Sequence, residues 1–502
     1  MTSEDPITIH SLPTELLAEI FGYFAAPAPD DRLHEQPRSD MLRDPQSGCP
    51  LKNISLVSRR WRAIALRLLF RHAVWTLDHA DQLLLETGHG TDPIDHIPIL
   101  AFLRAKGLGH NVRSFTMIID SATASSNGTP NAGSGTPSRD LGLPNNFLLR
   151  RNLTIVHNKD NNWVWEMLFS LVDPLRFTII ASPQSLAKLL SCAVFVGDAD
   201  FYSDGERLHI LSVSRDPHSK MTDPQLPSRG VPSQPHQVQC ARTALFTVRP
   251  WTHLLLNENS SIRVYRHYHF FDHHPPSILP SLLGCEDEPN DVPLIPPSVT
   301  ALSYVAIFPS ERHFRKLELA LPRIDRLFMQ LIPRNDILLD PDEMSHVEAR
   351  DLWGTSTNCY NAILRRLLSG GAFGDVFEND NVDDTMDINA QHQNASNTPG
   401  YNWRFLKEFR SGDAASEDSW AQAAQYIELS ETGWRVEEGG VFVKGPAPEP
   451  NEENLESEED MNDGGDSDSY EEEMDSLLVD PMELTPFHHH PDFLAYIAEL
   501  GY

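Results

Sequence analysis

The sequence predicts a chain of mixed class, α+β / α/β: three N-terminal helices, then a degenerate strand-and-helix domain with long loops, then an acidic tail that stays unfolded. Three observations carry this. From Leu12 to Arg71 apolar residues recur at helical spacing. Further along, an apolar pattern at i, i+3, i+5 and i+7 appears three times, and its last two copies lie 25 residues apart. Charge, finally, is segregated. Of the formal −32, residues 445–502 hold 18 Asp or Glu and residues 371–400 hold six, with no Lys or Arg in either; without those 24 charges the rest stands at −8.

In the first block Leu12, Leu16, Leu17, Ile20, Phe21 and Phe24 share a helical face. Pro13 suits the first turn, where its missing N–H is not needed, and Glu15 sits near the positive end of the helix dipole. Ala25 to Pro29 ends the helix. In the second block Ile54, Val57, Trp61, Ile64 and Leu68 form one stripe, while Leu51, Leu56, Ala65, Leu69 and Phe70 lie off it. So short a unit cannot bury several apolar faces alone, and the surplus asks for a partner.

These blocks resemble an F-box. Leu12-Pro13-Thr14-Glu15-Leu16-Leu17-Ala18-Glu19-Ile20-Phe21 is similar to its first helix, and Leu51 to Ala65, with Val57-Ser58-Arg59-Arg60-Trp61, to the remaining helices. An ordinary helical hairpin at the edge of a larger core explains the spacing but not the order of the blocks. The resemblance implies docking onto the Skp adaptor of SCF ubiquitin ligases and, through it, onto the cullin. It assigns that contact to Leu12, Pro13, Leu16, Leu17, Ile20 and Phe21, and to Leu51, Ile54, Val57, Trp61 and Ile64. The departure is an inserted loop at 25–50, about 20 residues longer than usual and rich in proline. Chain closure tolerates this because its entropy grows only logarithmically with length, although such a loop is also placed to obstruct the adaptor.

After residue 72, Ala73 to Leu77 alternates as a strand, and Ile97 to Lys106 reads as a helix stopped by Gly107 and Gly109. The three-fold pattern follows: Val112, Phe115, Met117, Ile119; Val299, Leu302, Tyr304, Ala306; Ile324, Leu327, Met329, Leu331. The last two copies flank a helix-like run, His313 to Ala320, and Leu352 continues the offset weakly. A strand and a helix in 25 residues resemble a leucine-rich repeat, whose units stack because none buries its apolar face alone. A non-repeating α/β domain with two chance matches is the other reading. Pro174 to Ile180 and Gln184 to Cys192 read as strand and helix, and Ser261 to Phe271 as a strand. The segments 121–146, 216–239 and 273–297 read as exposed loops.

The expected organisation is an F-box at 8–72, a substrate-binding domain at 73–370, a disordered acidic loop at 371–400 and a cap at 401–445. That cap holds an amphipathic helix at Trp420 to Leu429 and a hairpin from Gly433 to Lys444. A disordered acidic tail at 446–490 and a short helix at 491–502 follow. Ser457, Ser467 and Ser469 in the tail precede acidic residues and suit phosphorylation.

Composition narrows the function. Lys and Arg are not clustered as a nucleic-acid surface requires; the one dense run, Arg59 to Arg71, reads as a solvated helix face. Five scattered cysteines without a CxxC suggest neither disulfides nor a thiolate zinc site. With no secretory leader and no apolar stretch of membrane length, a soluble cytoplasmic or nuclear protein is expected. His267, His269, His273 and His274 lack a completing ligand, as does His488-His489-His490. Ser185-Leu186-Ala187-Lys188 lacks the companion motifs of Ser-x-x-Lys enzymes, and Gly370 to Gly374 lacks a phosphate-binding lysine. The reading is therefore a non-catalytic receptor subunit that needs no cofactor, with an unknown protein target and neither nucleic acid nor membrane as partner. A scaffold that binds the adaptor outside a ligase, or an enzyme of unfamiliar α/β type, are the rivals.

Overall fold

In the computed structural model the described residues are 9–25, 32–35, 50–77, 94, 97–119, 153–154, 162–192, 194–195, 208–216, 244–259, 262–267, 269–272, 276–285, 292–306, 311–331, 341–368, 400–413, 417–429, 432–437 and 439–445. The expected disordered segments at 371–399 and 446–490, the terminal helix at 491–502, the loop at 121–146 and residues 217–239, 273–275 and 286–291 of the other two loops lie outside them.

Three helices come first: α1 (Thr14–Gly22), α2 (Pro50–Val57) and α3 (Arg59–Leu69). Pro13 is the residue before α1 rather than part of its first turn. What reads as one stripe across residues 54–68 is two helices, parted at Ser58, whose hydroxyl accepts the Trp61 N–H at 3.2 Å as an N-cap.

A ten-stranded sheet follows: β1 (His72–Leu77), β2 (Ser114–Ile119), β4 (Arg176–Ala181), β6 (His209–Ser214), β7 (His253–Asn257), β8 (Ala301–Val305), β9 (Arg326–Gln330), β10 (Glu408–Ser411), β12 (Val441–Lys444) and β11 (Trp434–Glu437), in that spatial order. A two-stranded ribbon pairs β3 (Leu153–Thr154) with β5 (Val194–Phe195). The pairs β1–β2, β2–β4, β7–β8, β8–β9 and β9–β10 are parallel. β6 is antiparallel to both its neighbours, and the β11–β12 hairpin closes the far edge antiparallel. The sheet thus departs from an all-parallel repeat.

The i, i+3, i+5, i+7 pattern has a structural cause. All twelve residues of its three copies are buried in one apolar cluster. The 25-residue offset places Leu302 opposite Leu327 and Tyr304 opposite Met329 in adjacent strands. Four further segments carry the same phase: Phe70, Ala73, Trp75, Leu77; Pro174, Phe177, Ile179, Ala181; Trp251, Leu254, Leu256, Glu258; and Leu406, Phe409, Ser411, Asp413. A backbone signature repeats with them. The Arg71 carbonyl accepts the N–H groups of Arg113 and Ser114, and the carbonyls of Arg113, Thr252, Thr300 and Asp325 each accept the equivalent pair from the next unit, all at 2.8–3.1 Å.

Helices cover one face of this sheet, supplying Leu100, Trp165, Leu186, Phe314, Leu317 and Ile363 to the same cluster. Phe177 is the centre of a ring group, with Trp165 at 5.7 Å and Phe169 at 5.3 Å. Helix Pro98–Lys106 ends at Gly107 in the left-handed conformation, φ 61°. Gly109 lies so close to Leu171 that a Cβ would fall 1.9 Å from the Leu171 carbonyl oxygen, which explains the second glycine. Three expectations change. The segment 273–297, expected as an exposed loop, contains the buried helix Leu279–Leu283. Leu352 continues no strand pattern and is buried in helix Ala349–Leu368, and Ser261 to Phe271 is not a strand but two 3-10 turns, Ile262–Arg266 and Phe270–Asp272.

Candidate functional site

The helical module has a small core of Leu17, Phe21, Leu51, Ile64 and Ala65, with Leu12, Ala18, Ile54, Trp61 and Leu68 packed half-buried around it. Trp61 meets Phe21 edge-on at 5.1 Å. Arg60 ties α3 to the start of α1, donating to the Leu12 carbonyl at 2.5 Å and to the Thr14 hydroxyl at 3.3 Å, so one arginine of the basic run has a structural role.

That core sorts the eleven residues to which the resemblance assigns docking. Leu16, Ile20 and Val57 are exposed, at 46%, 37% and 55%, and Pro13 is exposed with them. Leu12, Ile54 and Trp61 are half-buried. Leu17, Phe21, Leu51 and Ile64 are buried, so no partner reaches them without unpacking the module. On helical spacing alone a core face and a contact face are both apolar, which is why the sequence merges them. Four further apolar residues of the module, absent from that assignment, are exposed: Leu56 at 74%, Tyr23 at 83%, Ile9 at 46% and Phe24 at 45%. Leu56 carried a signal, since it lies off the stripe. Exposed apolar side chains on a module this small make it a candidate interaction surface.

The second candidate region is the sheet face opposite the covering helices, whose aligned residues are buried except for Phe328. Register aligns two rows across it: Thr116, Thr178, Ser212, Leu255, Ser303 and Phe328, and beside them Ile118, Ile180, Ile210, Asn257, Val305 and Gln330. The first is rich in hydroxyls, with Thr178 and Ser212 bonded at 2.9 Å and Ser303 bonded to His253 Nε2 at 2.8 Å. Burial, with Arg176, Arg326 and His34 nearby, pulls the His253 imidazole down to about 4. A histidine lowered on folding stabilises fully above its unfolded value near 6.5 and loses that contribution as pH falls through 4. Urea titrations should therefore show wild type losing about 2–3 kcal/mol more than His253→Gln between pH 7 and pH 4. Parallel curves would refute the assignment.

The remaining sequence candidates do not converge. His267 and His269 are exposed, and His273 and His274 lie outside the described residues. Ser185 belongs to the cap of helix Pro183–Leu190, bonded by Ser182, and Lys188 is exposed. Among the described residues no group of three His, Cys, Asp or Glu is disposed to hold a metal, and no helix is long and apolar enough to cross a membrane.

A family model for the F-box-like domain matches residues 9–74, a span that contains α1, α2, α3 and the start of β1. No curated protein and no solved structure matches the chain. A helical F-box-like region at residues 9–74 thus precedes a sheet-containing α/β region.

Proposed function

We propose that this chain is the substrate-recognition subunit of an SCF-type ubiquitin ligase. Its F-box-like region holds the Skp adaptor through Leu16, Ile20 and Val57, with Leu12, Pro13, Ile54 and Trp61 at the margin and Leu56 beside them. Its α/β region holds a protein target. The observation that carries this reading is the F-box-like match over a module with exposed apolar residues on α1 and α2. F-box-like domains are typically non-catalytic adaptors, and positioning is the mechanism: a bound target meets the charged ubiquitin at raised effective concentration.

The junction between the two regions suits that task. Phe70, one residue past α3, stacks on Phe102 at 5.2 Å, and the Arg71 carbonyl is already bonded to the strand β2 edge. The full chain, drawn from extract, should bring down both adaptor and cullin. Absence of the adaptor would overturn the reading, and adaptor without cullin would favour a scaffold outside a ligase.

A further inference from the structure

The insertion between α1 and α2 reads in sequence as a proline-rich loop, and its described part, residues 32–35, is seated on the sheet face opposite the covering helices, among residues that are themselves buried. Leu33 is 5% exposed and buried among Ile118, Ile180, Leu208, Ile210 and Leu255. The Asn257 amide donates to the Leu33 carbonyl at 3.0 Å and to the Glu35 carbonyl at 2.8 Å. Its own Oδ1 accepts the Asn259 N–H at 3.2 Å, which fixes the amide with its donors turned to the segment. His34 meets the Phe328 ring edge-on at 4.7 Å. The segment is a single turn, closed by the Glu35 N–H on the Arg32 carbonyl at 3.1 Å.

This is recognition chemistry. One amide reads two carbonyls of a turn, which any sequence offers; an apolar hole selects the side chain between them, and an aromatic ring selects its neighbour. The segment adds no residue to the helical module's own core, although both its tethers start there. Four residues with one buried side chain make a small ligand, held because tethering supplies an effective concentration in the millimolar range.

We propose that the site formed by Ile118, Ile180, Ile210, Leu255, Asn257 and Phe328 binds a short turn of a target protein. That turn presents a leucine followed by an imidazole or aromatic ring, and Arg32–Glu35 is the resident occupant that competes with it. This rests on the reading of the chain as a substrate receptor, and deepens it: the receptor carries its own competitor, so targets must exceed a threshold of affinity or local concentration.

The test uses the full chain and a fluorescent peptide of residues 29–38. Leu33→Asp in the chain empties the site. The peptide should bind this variant saturably and at least about tenfold more tightly than wild type, and a peptide that itself carries Leu33→Asp should not bind. Equal binding to both chains, or no saturable binding to a Leu33→Asp chain that melts like wild type, overturns the proposal. Should that chain misfold, His34→Ala decides: it removes only the ring contact, and peptide binding above wild type supports the site, while unchanged binding sinks it. Adaptor capture is measured on the same chains. Adaptor bound without peptide refutes the site alone, whereas peptide bound without adaptor supports the site and refutes the ligase reading.

Discussion

Replacing Leu16 with Asp is expected to weaken Skp adaptor binding at least about 100-fold, because an unpaired charge would be buried at an apolar contact. The melting temperature should stay within a degree or two, since Leu16 is 46% exposed and its loss leaves the module's core intact. Leu17→Asp, one residue on, should behave in the opposite sense. Leu17 is fully buried with Phe21, Leu51, Ile64 and Ala65, so a carboxylate there should cost more than about 4 kcal/mol and unfold the module. Calorimetric titration with purified adaptor, beside thermal melts of both variants, separates the two. Unchanged binding by Leu16→Asp would dismiss the proposed contact surface.

The second large effect is expected at Glu258, which has no counterpart in the helical module. Glu258 follows β7, is buried, and accepts from Ser277 at 2.5 Å, from the N–H groups of Ile278 and Leu279 at 3.2 and 3.3 Å, and from the Tyr304 hydroxyl at 2.8 Å. One carboxylate thereby fastens β7, the start of helix Leu279–Leu283 and β8. Glu258→Ala should destabilise by about 3–5 kcal/mol in urea unfolding, because it leaves those donors buried without an acceptor. Tyr304→Phe should cost only about 1 kcal/mol, since the carboxylate keeps its other three bonds. A loss below 1 kcal/mol for Glu258→Ala would refute this account. Burial and the Glu258 carboxylate also push the Tyr304 hydroxyl well above the usual tyrosine range. That contribution to stability is complete below pH 10 and is lost as pH rises above it, because the unfolded chain ionises first.

Legibility in the sequence followed how local each signal was. Helix α1, the helix Pro98–Lys106 and the hairpin of β11 and β12 rest on short-range periodicity, caps and glycines, and they read directly. The sheet units read in part. Five of seven show an apolar residue at every position of the pattern; the unit at Trp251 ends in Glu258 and the unit at Leu406 has Ser411 and Asp413. There the buried positions hold acids that bond Tyr304 and Tyr360, so polar residues stand where hydropathy expects none. Spacing hid the rest, since intervals between units stretch from 25 residues to more than three times that. β6 and β7 escaped because they are buried on both faces, so no alternation marks them. Leu33 left no trace, because one leucine within Asp30-Asp31-Arg32-Leu33-His34-Glu35 has no periodicity to announce it. Its burial depends on a partner strand more than 200 residues away.

The direct passage from α3 into β1 makes the sheet a ruler. Strands in a sheet stand about 4.8 Å apart, and β7 is four steps from β1 in the order β1-β2-β4-β6-β7. A turn gripped by Asn257 is therefore offset about 19 Å along the sheet from the end of the helical module. On the proposed reading, each added or deleted strand between them would move a bound target by one graduation, so the antiparallel β6, foreign to the repeat, would set the reach as well as filling the sheet.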